Sequence, residues 1–167
     1  MLVVARHAPA TRPRPGMADL ERSLTEEGLV KAQALSVELV RLAPTHLVSS
    51  PARRCIETLA PLAKALDLEI ITDDGLGPSA KAPQIAMSLA YLGALDGVTV
   101  VATHAPQLEV LLEQLLADHG ISVDADALHL PPAGYVIVDV AEGVRPPRID
   151  RVRAYRDVGT DPLLLVG

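Results

Sequence analysis

The chain has no tryptophan and no phenylalanine, and only three of its 167 residues are tyrosine. Base stacking on aromatic side chains is therefore nearly excluded, and with it the usual platforms for single-stranded nucleic acid. A single cysteine, Cys55, leaves no internal disulfide to form. No apolar run approaches the roughly 20 residues of a membrane-spanning helix. No basic segment followed by a long apolar run and a small-residue cleavage site opens the chain. Positive charge is also scarce: 15 Lys and Arg against 21 Asp and Glu give a formal charge of −6, which argues against a binder of phosphate backbones. The expectation is a protein of a reducing, cytoplasmic compartment without nucleic-acid or membrane partners, in which any anion site is local.

Hydrophobic residues make up 49% of the chain, so the core must come from Val, Leu, Ile and Ala. The length is that of one ordinary domain, taken as residues 1–167. "LVVAR" (2–6), "THLVSS" (45–50), "LEIIT" (68–72) and "VTVVATH" (98–104) read as short buried strands, rich in β-branched residues and bounded by polar ones. Helical patterns lie between them. In "TEEGLVKAQALSVELVRLA" Thr25 is the candidate N-cap and Leu29, Ala32, Leu35, Leu39 and Leu42 form the apolar face. "PARRCIETLAPLAKAL" follows Ser50 as cap with Pro51 at the first helical position, and Pro61 is expected to kink or end it. "APQIAMSLAYLGAL" and "PQLEVLLEQLLADHG" supply two more helices, the last stopped by Gly120. From residue 134, "GYVIVDV" and "PRIDRVRAY" read as a hairpin joined by "AEGVRPP", and the apolar tail "PLLLVG" fits packing on its own domain or on a neighbour. The fold class expected is a three-layer α/β/α sandwich with a mostly parallel sheet and a C-terminal antiparallel hairpin.

Ligands of open α/β sheets bind beyond the carboxyl ends of the parallel strands. His7 follows the first strand, His104 the fourth, and "SSPARR" the second. If those strands are central neighbours, two imidazoles, the guanidiniums of Arg6 and Arg54 and a helix N-terminus converge on one crevice, a setting for an anion of phosphate size. Between His7 and Leu24 runs a long stretch with three prolines and three arginines, a length more often functional than idle.

In this order, "ARHA", "RSLTEEGLVKAQAL", "LVSSPARRCIETLAPLAKAL" and "VVATHAPQLEVLL" resemble the successive motifs of the histidine phosphatase superfamily, the phosphoglycerate mutase-like fold. "HAPQLEVLL" and "DDGLGP" are most similar to its small SixA-type phosphohistidine phosphatases. The resemblance implies that His7 takes the phosphoryl group as a phosphohistidine later hydrolysed by water. It implies further that Arg6 and Arg54 hold the phosphate, that His104 is the second histidine of the pocket, and that Arg22 faces the site and contacts substrate; Ser50, delivered by "SSPARR" at the end of the second strand, is a further candidate substrate contact. Neither cofactor nor metal is implied. A neutral imidazole as nucleophile and forked guanidinium donors suit phosphoryl transfer on general grounds.

The family pattern is Arg-His-Gly, whereas Ala8 stands here. Were that residue at positive φ, alanine would cost on the order of 1 kcal/mol against glycine. Family members that cleave esters of poor leaving groups generally carry a glutamate after the third strand. This chain has Asp73 and Asp74, expected to cap the turn instead. An imidazole leaving group asks less of an acid, so a phosphohistidine-bearing protein is the expected substrate.

The alternatives are a phosphatase of a small phosphate ester or nucleotide, and a phosphate-binding module without turnover. A zinc hydrolase is disfavoured because no H-x-x-E-H, H-E-x-x-H or C-x-x-C spacing occurs. Cys55 lies near a helix N-terminus but lacks the arginine of a C-x5-R loop, so it reads as a packed helix residue. Neighbouring helix positions point about 100° apart, so Arg53 should face solvent when Arg54 faces the crevice. His46, His119 and His129 read as structural or solvated.

Overall fold

The computed structural model describes residues 1–141 and 148–166. Seven strands form one sheet: β1 (Leu2–Arg6), β2 (His46–Ser49), β3 (Ile70–Thr72), β4 (Thr99–Thr103), β5 (Tyr135–Val140), β6 (Ile149–Tyr155) and β7 (Leu163–Val166). Their order is β3-β2-β4-β1-β5-β6-β7. The first four are parallel, and β5, β6 and β7 are each antiparallel to the preceding neighbour. The hairpin is therefore present, while the turn proposed for "AEGVRPP" falls almost wholly outside the described residues. The tail is a seventh strand on the edge of its own sheet, which the sequence reading had not assigned.

The helices are α1 (Glu26–Leu39), α2 (Arg53–Leu66), α3 (Ala82–Gly93), α4 (Ala105–Asp118) and the single turn α5 (Ala125–Leu128). Alternation along the strands decides which face each helix covers. Val3, Ala5, Leu47, Val100 and Ala102 pack with Leu35 and Leu39 of α1 and Leu59 and Leu62 of α2. Val4, Val48 and Val101 point the other way, onto Ile85 and Leu89 of α3 and Leu108, Leu111 and Leu112 of α4. Three layers result, as the β-branched runs require: the central strands β1, β2 and β4 are buried on both faces.

Two local expectations are corrected, and one of the two alternatives for Pro61 falls. Leu29 is 54% exposed, and the buried position at the start of α1 is Gly28. A Cβ there would collide with the Pro9 carbonyl oxygen, so glycine lets the helix close directly onto the chain leaving His7. Helix α2 begins at Arg53 with Ala52 as N-cap, two residues later than Pro51 suggested. Pro61 does not end α2, which continues to Leu66. Burial of Leu59 and Leu62 on either side of it outweighs the lost hydrogen bond. Thr25 caps α1 as expected, its side chain accepting the Gly28 N–H at 3.0 Å, and Gly120 beyond α4 takes positive φ.

Candidate active site

Because β1 lies between β4 and β5, and β2 lies on the far side of β4, the carboxyl ends of the three central parallel strands are adjacent. His7 continues the sheet bonding past β1. Its N–H donates to the Thr103 carbonyl at 2.9 Å and its carbonyl accepts the Ala133 N–H at 3.2 Å. The ring is fixed as well: Nδ1 lies 2.8 Å from the Ala8 carbonyl oxygen, which can only accept. Nδ1 therefore carries the proton, and Nε2 is left with its lone pair. Burial, together with the charges of Arg54, Arg6 and Arg22, pushes the His7 pKa down to about 4 against the pull of the Ala8 bond. The ring is neutral at neutral pH.

His104 ends β4 and starts α4, with its ring 5.3 Å from that of His7 in an edge-to-face arrangement. Its Nδ1 lies 3.1 Å from an Arg54 terminal nitrogen. A guanidinium only donates, so His104 Nδ1 accepts and its proton sits on Nε2, 2.9 Å from Ser50 Oγ. Burial first, then the Arg54 charge, pushes the His104 pKa down to about 3.

Both arginines are anchored in a similar way. Arg6 donates from a terminal nitrogen to the Leu130 carbonyl at 2.6 Å, and Arg54 donates to the Asp19 carbonyl at 2.6 Å and the Asp19 carboxylate at 2.8 Å. In each the Nε–H is buried with no partner. Buried donors left unpaired are costly, and the two guanidiniums bring positive charge beside a neutral imidazole. The N-terminal turns of α2 and α4, each 14 residues long, follow Ser49 and Thr103 at the same sheet edge and add their positive ends.

The predicted residues are thus brought together, with two differences in detail. Ser50 is fully buried behind His104, and its Oγ also accepts the Ala52 N–H at 3.2 Å, so its oxygen is engaged within the protein. Arg22 lies near enough to depress the His7 pKa, but it is held by the Thr11 carbonyl at 2.7 Å and by Asp19 at 2.8 Å. Ala8 is not at positive φ; it is fully buried with Leu24, Ala32 and Ala133, so the alanine there is unstrained. Asp73 accepts the Gly75 N–H at 2.8 Å and caps its turn as expected. Arg53 is exposed and pairs with Glu57, also as expected. Cys55 is buried, and burial pushes its thiol up to about 12. Among the described residues no group of three or more His, Cys, Asp or Glu side chains is placed to hold a metal ion.

Two residues of the site were missed from sequence: Asp19, which binds both Arg22 and Arg54, and Thr58, which accepts the Ala8 N–H at 3.0 Å. The i,i+3 spacing of Asp19 and Arg22 was the only available signal for the first.

Residues 2–77 match the family model of the histidine phosphatase superfamily (branch 1). Among solved structures the chain is similar to the Agrobacterium tumefaciens SixA, named as a phosphohistidine phosphatase. Identity is 24% over 90% of this chain and 95% of that one, with a TM-score of 0.68. A mycobacterial glucosyl-3-phosphoglycerate phosphatase is 18% identical over 95% of this chain and 99% of its own, with a TM-score of 0.72. A protein histidine phosphatase SixA complexed with tungstate is 19% identical over 90% and 94%, with a TM-score of 0.69. No curated protein matches the sequence. Residues 2–77 thus match the histidine phosphatase superfamily in sequence, and the chain as a whole shares the fold of these solved phosphatases.

Proposed function

We propose that the protein is a phosphatase in which His7 is the nucleophile and a protein phosphohistidine is the substrate. The observation that carries this reading is the lone pair of His7 Nε2, held neutral beside two guanidiniums with unpaired Nε–H groups. Arg6 and Arg54 receive the phosphoryl oxygens, and Nε2 attacks phosphorus. The bond from phosphorus to the leaving nitrogen breaks, and the departing imidazole takes a proton from solvent. Water then attacks the phosphohistidine, releasing inorganic phosphate and restoring neutral His7. Phosphoryl transfer of this kind is mostly positioning and charge stabilisation.

Two carboxyls support this substrate class. Asp73 is spent on its turn, and Asp19 is held below the ordinary carboxylate range, first by its bond to Arg22, so it stays ionised. A leaving group that needs no strong acid fits this site better than an alkoxide. A small phosphate ester is the second reading, favoured by the likeness to the glucosyl-3-phosphoglycerate phosphatase.

The test is trapping. Protein mixed with a labelled phosphohistidine protein and then denatured should carry acid-labile label, and His7→Ala should carry none and lose turnover. Full turnover by His7→Ala overturns the mechanism, and phosphate binding without turnover on any member of an ester and phosphohistidine panel assigns a binding module instead.

A further inference from the structure

The stretch from His7 to Leu24 bonds Arg54 through Asp19. The Asp19 carboxylate, on a 3-10 turn (Asp19–Glu21), bonds Arg22 through Oδ1 and Arg54 through Oδ2, each at 2.8 Å. Arg54 also donates to the Asp19 backbone carbonyl at 2.6 Å. The Arg54 side chain is 4% exposed, whereas that of Asp19 is 49% exposed. One half-exposed carboxylate therefore fixes the ends of two guanidiniums, one of them buried. With His104 occupying the same Arg54 nitrogen as Asp19, the terminal nitrogens of Arg54 are largely committed, and its Nε–H is the unpaired donor.

We propose, on the reading just given for His7, that Asp19 is a positioning residue: its carboxylate bridges Arg22 and Arg54 and so fixes how their guanidiniums meet the phosphate. Charge balance agrees. Arg6, Arg22 and Arg54 outnumber the nearby carboxylates Asp19 and Glu109 around two neutral imidazoles, so the site keeps a net positive charge toward a phosphate. Asp19 transfers no proton; it acts through the arginines it holds.

The experiment measures inorganic phosphate affinity by calorimetry, with KM and kcat on the trapped substrate, for wild type, Asp19→Ala, Asp19→Asn, Asp19→Glu and Arg22→Ala. Asp19→Ala should raise both KM and the phosphate Kd by about tenfold or more, the size seen when the support of a ligand-holding group is removed. Asp19→Asn accepts from only one guanidinium well and should fall between, and Asp19→Glu should recover part of the loss. Arg22→Ala in the Asp19→Ala background should add less than it does alone, since the two act through one bridge. Substitution at a half-exposed side chain should leave the unfolding midpoint within about 2 °C.

Tighter phosphate binding by Asp19→Ala overturns the proposal, because the carboxylate is then a competitor for the arginines. Unchanged KM and Kd overturn it equally, leaving a surface ion pair. Wild-type protein that neither binds phosphate nor forms a phosphoenzyme refutes the reading of His7 instead. Wild type that does both, with Asp19 variants indistinguishable from it, refutes only the role of Asp19.

Discussion

The Ala8 N–H donates to Thr58 Oγ1 at 3.0 Å, and the same hydroxyl donates to the Arg54 carbonyl at 2.7 Å. One threonine thus ties the residue after His7 to the helical turn that carries Arg54. The site is buried, so Thr58→Val leaves the Ala8 N–H without a partner at a cost of about 1–3 kcal/mol. The expected outcome is a lower unfolding midpoint together with a lower kcat, since His7 Nδ1 is oriented by the Ala8 carbonyl. Thermal melts and initial rates check both; an unchanged kcat would separate this bond from the placement of His7.

Ala8→Gly should weaken the protein and gain nothing in rate. The methyl is fully buried among Leu24, Ala32 and Ala133, and no positive φ awaits relief. Loss of that contact and the added freedom of the unfolded chain together cost about 1–2 kcal/mol. A rate increase would show that the loop needs the glycine of the family pattern after all. Denaturant melts and kcat are the measurements.

The acid limb of kcat/KM should fall near pH 4 rather than near 6.5. The nucleophile must be neutral, and His7 stays so until its lowered pKa of about 4 is reached. Stability follows the same sign. Between about 4 and 6.5 the unfolded chain binds a proton at His7 that the native ring does not, so stability is highest above 6.5 and drops as pH falls through that window. His104, lowered to about 3, acts in the same direction. A pH profile and a histidine ring titration by NMR test this, and a ring that titrates near 6.5 contradicts it.

Cys55 should resist alkylation in the folded protein at pH 8. Its thiol is buried and pushed up to about 12, so the reactive thiolate is scarce. Treatment with iodoacetamide under native conditions should leave both mass and activity unchanged. Rapid modification with loss of turnover would revive a cysteine-centred chemistry.

Strand ends were legible because β-branched runs stop abruptly at polar residues, which placed His7, Ser49 and His104 on one edge before any geometry was known. The cap at Thr25 was legible for a similar reason: its side chain does something only a short polar residue can do there. What escaped lay where no period operates. Asp19 sits in an irregular stretch, and its partners are 3 and 35 residues away, one contact local and one set only by tertiary structure. Leu29 was misplaced because an apolar residue at helical spacing was preferred to a glycine, although Gly28 makes the closer approach. The exposed Leu163 and Leu164 gave the tail no alternation, so an edge strand looked like a loose end.

The chain leaving His7 is pinned where it departs and where it returns: Ala10 bridges Leu24, the Thr25 N–H donates to the Pro9 carbonyl at 3.0 Å, and Gly28 closes on the same group. Everything from Thr11 to Ser23 hangs between these pins as a cassette. Its other letters can be rewritten without moving the nucleophile, so a new substrate preference can evolve there at little cost to the fold, provided Asp19 and Arg22 remain to meet Arg54.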